Sequence, residues 1–107
     1  MNLNKPQINS LISAILALKD EKEAKRFLRD LLTEAEIEEF SKRWQAAQML
    51  DKKIPYTEIV KQTGLSSTTV ARVANWLKNG KGGYRLMLNK LHHHNSISRR
   101  KSCVKYA

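Results

Sequence analysis

At 107 residues the chain has room for one small domain, and its 20 lysines and arginines against 10 aspartates and glutamates make it strongly basic. That excess points to a polyanionic partner. The lone cysteine, Cys103, excludes an intrachain disulfide framework and suits a reducing, cytoplasmic setting, while the apolar run from Leu11 to Leu18 falls well short of the roughly 20 residues of a membrane span.

No segment alternates as a strand does, so an all-α chain of five or six helices is expected. The first helix should begin near Pro6 and bury Ile8, Leu11, Ile12, Ile15 and Leu16. Asp20 and Glu23 mark a second start, after which Ala24, Phe27, Leu28, Leu31 and Leu32 form an apolar stripe. Thr33 and Glu36 have the spacing of a capping box, with Leu32 and Ile37 positioned to close over it. A third helix should run from Glu34 to about Lys52, with Ile37, Phe40, Trp44 and Ala47 along one side. Glu34, Glu36, Glu38 and Glu39 at its start and Lys52 and Lys53 at its end both complement the helix dipole. This account of the glutamates leaves no paired-carboxylate catalytic site to explain.

Pro55 opens the most informative stretch, residues 56–78, YTEIVKQTGLSSTTVARVANWLK. Ile59 and Val60 belong to a short helix, and Gly64 supplies the left-handed backbone of a tight turn between helices. Ser66 should cap a second helix, with Leu65 and Val70 stapled around its start. Val70, Val73, Ala74 and Leu77 repeat at helical spacing and should face inward. Ser67, Thr68, Arg72 and Asn75 fall on the opposite side, where short or hydrogen-bonding side chains can enter a DNA groove. This is a helix-turn-helix pattern. Charge agrees with it: residues 1–53 hold 10 basic and 9 acidic side chains, whereas residues 54–107 hold 10 basic ones and Glu58 alone.

The run Asn79-Gly80-Lys81-Gly82-Gly83 should break the chain before a last short helix carrying Tyr84, Met87, Leu88 and Leu91 on one face. Domain organisation is then a helical unit over residues 1–91 and a basic, disordered tail over 92–107. His92, His93 and His94 are adjacent, and neighbours on a helix point ~100° apart, so they do not converge on one metal ion. No metal, cofactor or catalytic site is expected.

The order of helices, the LLTEAE start of the third, the spacing to IPYTEI and the TGLSSTTVARVANWLK segment together resemble the tryptophan repressor family. The NGKGGYRLML segment resembles that of a tryptophan-repressor-like subfamily. The resemblance covers roughly residues 8 to 91 and implies a six-helix, intertwined homodimer whose N-terminal helices interlock, with two helix-turn-helix heads projecting from the shared core. It also implies a ligand site in which two arginines sandwich an indole ring. The recognition-helix position matches Arg72, but the third-helix position falls on Gln45, and the glycine that leaves room for the ring is replaced by Val73. Tight tryptophan binding is therefore not expected. Val73 is instead suited to hold the recognition helix permanently as the ligand does.

These residues lead to a sequence-specific regulator of double-stranded DNA, with repression favoured, dimeric on a two-fold symmetric operator. Ser67, Thr68, Thr69 and Arg72 are the expected base-facing residues, and Asn75 shares their face. Ser66, Lys61, Lys78 and Lys81 are expected at phosphates, with Arg85 and Lys90 further out. Simpler readings stand beside these. Arg72 could pair with a glutamate of the third helix, Lys61 and Lys78 could serve solubility, and Trp44 and Trp76 are better packing residues than base platforms. A helical protein-interaction or replication- or transposition-associated module using the same motif is the alternative function.

Overall fold

Side-chain caps from Asp20, Thr33 and Ser66 start helices in this chain. In a computed structural model, residues 1–102 are described, with side chains through residue 92. The order is α1 (Pro6–Leu16), α2 (Glu21–Leu31), α3 (Glu34–Asp51), α4 (Tyr56–Thr63), α5 (Ser67–Asn79) and α6 (Gly83–Ser102). No strand occurs among the described residues. Two compact units are formed, residues 1–38 and the chain from Glu39 onward, with α3 running through the division.

In the first unit, Pro6 occupies the first turn of α1, where its missing N–H costs nothing. Asp20 caps α2 by accepting from the Glu23 backbone N–H at 2.9 Å, and the Glu23 carboxylate accepts in return from the Lys19 N–H. The capping box at α3 is closed in both directions: Thr33 N–H donates to Glu36 Oε1 at 2.9 Å, and Glu36 N–H donates to Thr33 Oγ1 at 3.1 Å. The expected apolar stripes are present, but their burial is not. Neither α1 nor α2 has a single buried residue, and Leu11, Ile12, Ile15, Leu16, Leu28 and Leu31 are all exposed. A periodic stripe declares that a face is apolar and leaves open what covers it.

In the second unit a core does form. Ala46, Ala47 and Met49 of α3, Ile59 of α4, Leu65 of the turn, and Val70 and Val73 of α5 make one buried cluster. Trp44, Leu50, Ile54, Val60 and Tyr84 pack around it, partly buried. Leu88 of α6 is buried as well. Of the expected third-helix side, Ala47 is enclosed, while Phe40 is exposed.

Two helix ends stand apart from the rest. First, α3 stops at Asp51 without the help of a glycine. Lys53 takes a left-handed φ of 62°, its N–H reaching Leu50 O at 2.9 Å and the Ile54 N–H reaching Met49 O at 3.1 Å. This is the hydrogen-bonding pattern that usually places glycine at the left-handed position. Second, α6 continues as one helix to Ser102. Nothing after Gly83 interrupts it, since residues 84–102 contain neither glycine nor proline. The end of the expected tail, residues 103–107 with Cys103, lies outside the described residues, as do the side chains of His93 and His94. Between α5 and α6, Gly80 sits where an added Cβ would lie 2.4 Å from Trp76 O.

The left-handed lysine yields a stability test. The conformation costs a residue with a side chain ~1–2 kcal/mol, offset in a glycine variant by about 0.4–1 kcal/mol of greater unfolded-state freedom. Lys53→Gly should therefore raise the melting temperature by roughly 2–6 °C. Lys53→Val, branched at Cβ, should lower it. The reverse order in a thermal melt would contradict the strain.

Candidate nucleic-acid interface

The exposed side of α5 is created by what its other side buries. Val70 and Val73 are fully enclosed, Ala74 is buried and Leu77 is half-buried, as the spacing predicts. One helix therefore turns Ser67, Thr68, Arg72 and Asn75 to solvent. The entry turn is rigid. Gly64 ends α4 at φ 77°, its N–H bonded to Val60 O at 2.9 Å. Thr63 is buried, and its Oγ1 donates to Ile59 O at 2.7 Å while accepting from the Leu65 N–H at 3.2 Å. A buried hydroxyl satisfied on both sides pins the turn instead of burdening it.

Ser66 and Thr69 belong to this internal scaffolding. Ser66 Oγ accepts from the Thr69 N–H at 3.1 Å and donates to Thr69 Oγ1 at 3.0 Å, which caps α5. Both hydroxyls are thus engaged with each other, and Thr69 is half-buried. Thr68, Arg72 and Asn75 recur at four- and three-residue intervals and share a face. Asn75 Oδ1 accepts from Asn79 Nδ2 at 3.0 Å, leaving its own amide N–H groups outward-facing donors. Ala71, also exposed between Thr68 and Arg72, was absent from the expected set. A small side chain there keeps the helix surface low.

The cations separate into engaged and free groups. No ion pair to Arg72, Lys61, Lys78 or Lys81 occurs among the described residues, so the pairing of Arg72 with a third-helix glutamate is not formed. Arg85, by contrast, donates to Asp51 Oδ1 at 2.8 Å, and His92 Nε2 lies 3.1 Å from Asp51 Oδ2. Asp51 therefore holds α6 at two points two turns apart, on either side of buried Leu88. The Arg85 hydrogen bond, opposed by burial and aided by His92, keeps the Asp51 carboxyl below its ordinary value of 3.8.

Gln45 is exposed, and the cation of α3 that faces α5 is Arg43, two residues earlier. Its Cζ lies 5.9 Å from the centroid of the Trp76 ring and 5.9 Å from that of Phe40, with Nε donating to Glu39 Oε2 at 3.3 Å. Trp44 stacks on Tyr84 with centroids 6.4 Å apart and planes at 11°. Both tryptophans thus make packing contacts, as expected, yet Trp76 remains 41% exposed. With Tyr84, Met87 and Gly80 they line an open groove of about 740 Å³. No group of acids, histidines or cysteines able to hold a metal occurs among the described residues, and no described helix is long and apolar enough to cross a membrane.

A capped second helix with a polar outer face, set on a small all-helical core, defines a helix-turn-helix protein. Residues 6–92 match the sequence profile of the family described as Trp repressor protein. The chain belongs to the Trp repressor family, whose members are DNA-binding regulators and not enzymes. It is 35% identical over 85 residues to the uncharacterized protein YerC of Bacillus subtilis (strain 168), covering 79% of this chain and 82% of that one. Among solved structures, a TrpR-like protein from Eubacterium eligens ATCC 27750 superposes with a TM-score of 0.81 at 37% identity, over 84% of this chain and 93% of the other. A candidate Trp repressor from Staphylococcus aureus gives 0.80 at 32% identity, over 84% and 90%.

Asp51 supplies the prediction here. Its folded-state pKa is lowered, so its stabilising contribution is complete above the unfolded value and disappears as pH falls through the lower, folded one. The stability gap between wild type and Asp51→Asn, measured by urea unfolding, should narrow in acid below about pH 4. A gap that widens there would reverse the sign of the linkage.

Proposed function

We propose that the protein is a dimeric, sequence-specific transcriptional regulator, acting as a repressor on a two-fold symmetric operator, with no requirement for tryptophan. The observation that carries this reading is the division of α5: Val70, Val73 and Ala74 inside, Ser67, Thr68, Arg72 and Asn75 outside and unobstructed. Arg72 is the best residue for a bidentate contact with guanine, and Ala71 beside it suits a thymine methyl. Ser67 and Thr68 hydroxyls are free to meet base edges or phosphate. Lys61, Lys78 and Lys81 serve phosphates and set register. Ser66 and Thr69, spent on the cap, act through the helix start they hold and through its N–H groups.

Dimerisation is supported by the first unit. Helices α1 and α2 present apolar side chains, Leu16 at 78% exposure, with no buried residue of their own. Isolated helices of 11 residues are marginal in water, and a second copy offers matching stripes. Independence from tryptophan is supported by Val73, which is fully enclosed where the ligand-binding members carry glycine, and by Trp76, which already occupies the guanidinium face of Arg43.

Four measurements test this. Sedimentation should give a mass near twice 12.3 kDa; Ile12→Asp should reduce it and abolish duplex binding. Selection from random DNA should return half-sites ~10 base pairs apart centre to centre, with log affinity falling linearly against log salt. Arg72→Ala should weaken the selected site by roughly 5- to 150-fold and relax preference at one base position. A protein that ignores every duplex, or binds a protein partner with no salt slope, belongs to the interaction-module reading. Calorimetry showing low-micromolar tryptophan affinity would overturn the tryptophan-independent assignment.

A further inference from the structure

The apolar cluster holds α5 against the core, but the attraction that drives it is non-directional. A directional contact between α3 and α5 lies at the surface. The Arg43 guanidinium sits over the Trp76 ring of α5 and the Phe40 ring of α3, each centroid 5.9 Å from Cζ. Glu39 accepts from its Nε at 3.3 Å, so the charge is paired and the orientation fixed from behind. Arg43 and Glu39 side chains are only 36% and 40% exposed, which strengthens a cation–ring contact relative to one in open water. Trp76 follows Arg72 by four residues and therefore lies one turn along the same stripe of α5.

We infer that Arg43 is a positioning residue for DNA recognition: by clasping the Trp76 ring it sets the roll of α5, and with it the direction in which Arg72 projects. This inference rests on the proposed DNA-binding function and adds a residue that touches no nucleotide. Arg43 is paired and covered by rings, unlike Arg72, Lys61, Lys78 and Lys81, and is thereby distinguished from a phosphate contact. Planarity matters as well as charge, since the guanidinium lies over a ring face in a way that a lysine ammonium matches only in part.

The test uses the full chain and the duplex selected with the wild type. Arg43→Gln should weaken binding by about three- to ten-fold at every salt concentration. The slope of log affinity against log salt should stay unchanged, whereas loss of a phosphate contact lowers it by about 1. Arg43→Lys should recover part of the loss, and Trp76→Phe should retain more affinity than Trp76→Leu. Arg43→Gln combined with Trp76→Leu should be no worse than the poorer single variant. In a Trp44→Phe background, the emission of Trp76 should shift when Arg43 is replaced, and amide exchange along α5 should quicken while the melting temperature moves little. A reduced salt slope, additive losses, or unchanged emission and exchange would each overturn the assignment. Failure of the wild type to bind any duplex removes the DNA-binding function itself and this role with it; wild-type binding with an indifferent Arg43→Gln removes only the role.

Discussion

Everything at the interface depends on two alanines. Ala46 and Ala47 of α3 are fully enclosed against Val70 and Val73 of α5 and Ile59 of α4. Small side chains on α3 and branched ones on α5 share one buried cluster. Larger residues at either alanine would push α5 outward and tilt the polar face that Ser67, Thr68, Arg72 and Asn75 share. The depth at which that face sits is therefore set from behind, by buried side chains.

Around this contact the helices are fixed in different ways. Helix α4 is joined to α5 by backbone chemistry: a left-handed glycine, a doubly bonded threonine and a serine cap, all within four residues of sequence. Helix α6 is held to α3 by side chains that are distant in sequence, Asp51 with Arg85 and His92, and Trp44 with Tyr84. The first kind of joint is short and independent of charge. The second relies on a carboxylate that acid can neutralise and on a stack half open to water. The helix-turn-helix should accordingly be the more persistent part of the second unit, with α6 the more conditional one.

Those differences also explain what could be read from the residues alone. Caps and turns are local, so Thr33 with Glu36, Asp20, Gly64 and Ser66 announced helix starts and stops that the structure reproduces. The inward face of α5 was equally plain, because four apolar residues at helical spacing leave one arrangement. Distance in sequence hid the rest. Lys53 carries no sign of its left-handed conformation, since lysine is a poor residue for it and the hydrogen bonds that close α3 there are made by backbone alone. Arg43 carries no signal of its own in the sequence, because facing Trp76 of α5 is a matter of where the helix points. The stripes of α1 and α2 were legible as stripes, but what they meet depends on another surface. The extent of α6 has no periodic apolar signal beyond Leu91, and only the lack of glycine and proline over residues 84–102 is compatible with its length.

The linker after α5 has a consequence of its own. Its glycines are unequal: at Gly80 a methyl group would collide with the carbonyl oxygen of Trp76, while at Gly83 it would meet nothing within 4 Å. In a saturation survey of this segment, position 80 should accept no replacement and position 83 almost any. The exit path of the last helix is thus constrained twice, by a residue that leaves no space for a side chain at 80 and by the left-handed backbone of Gly82 at φ 84°.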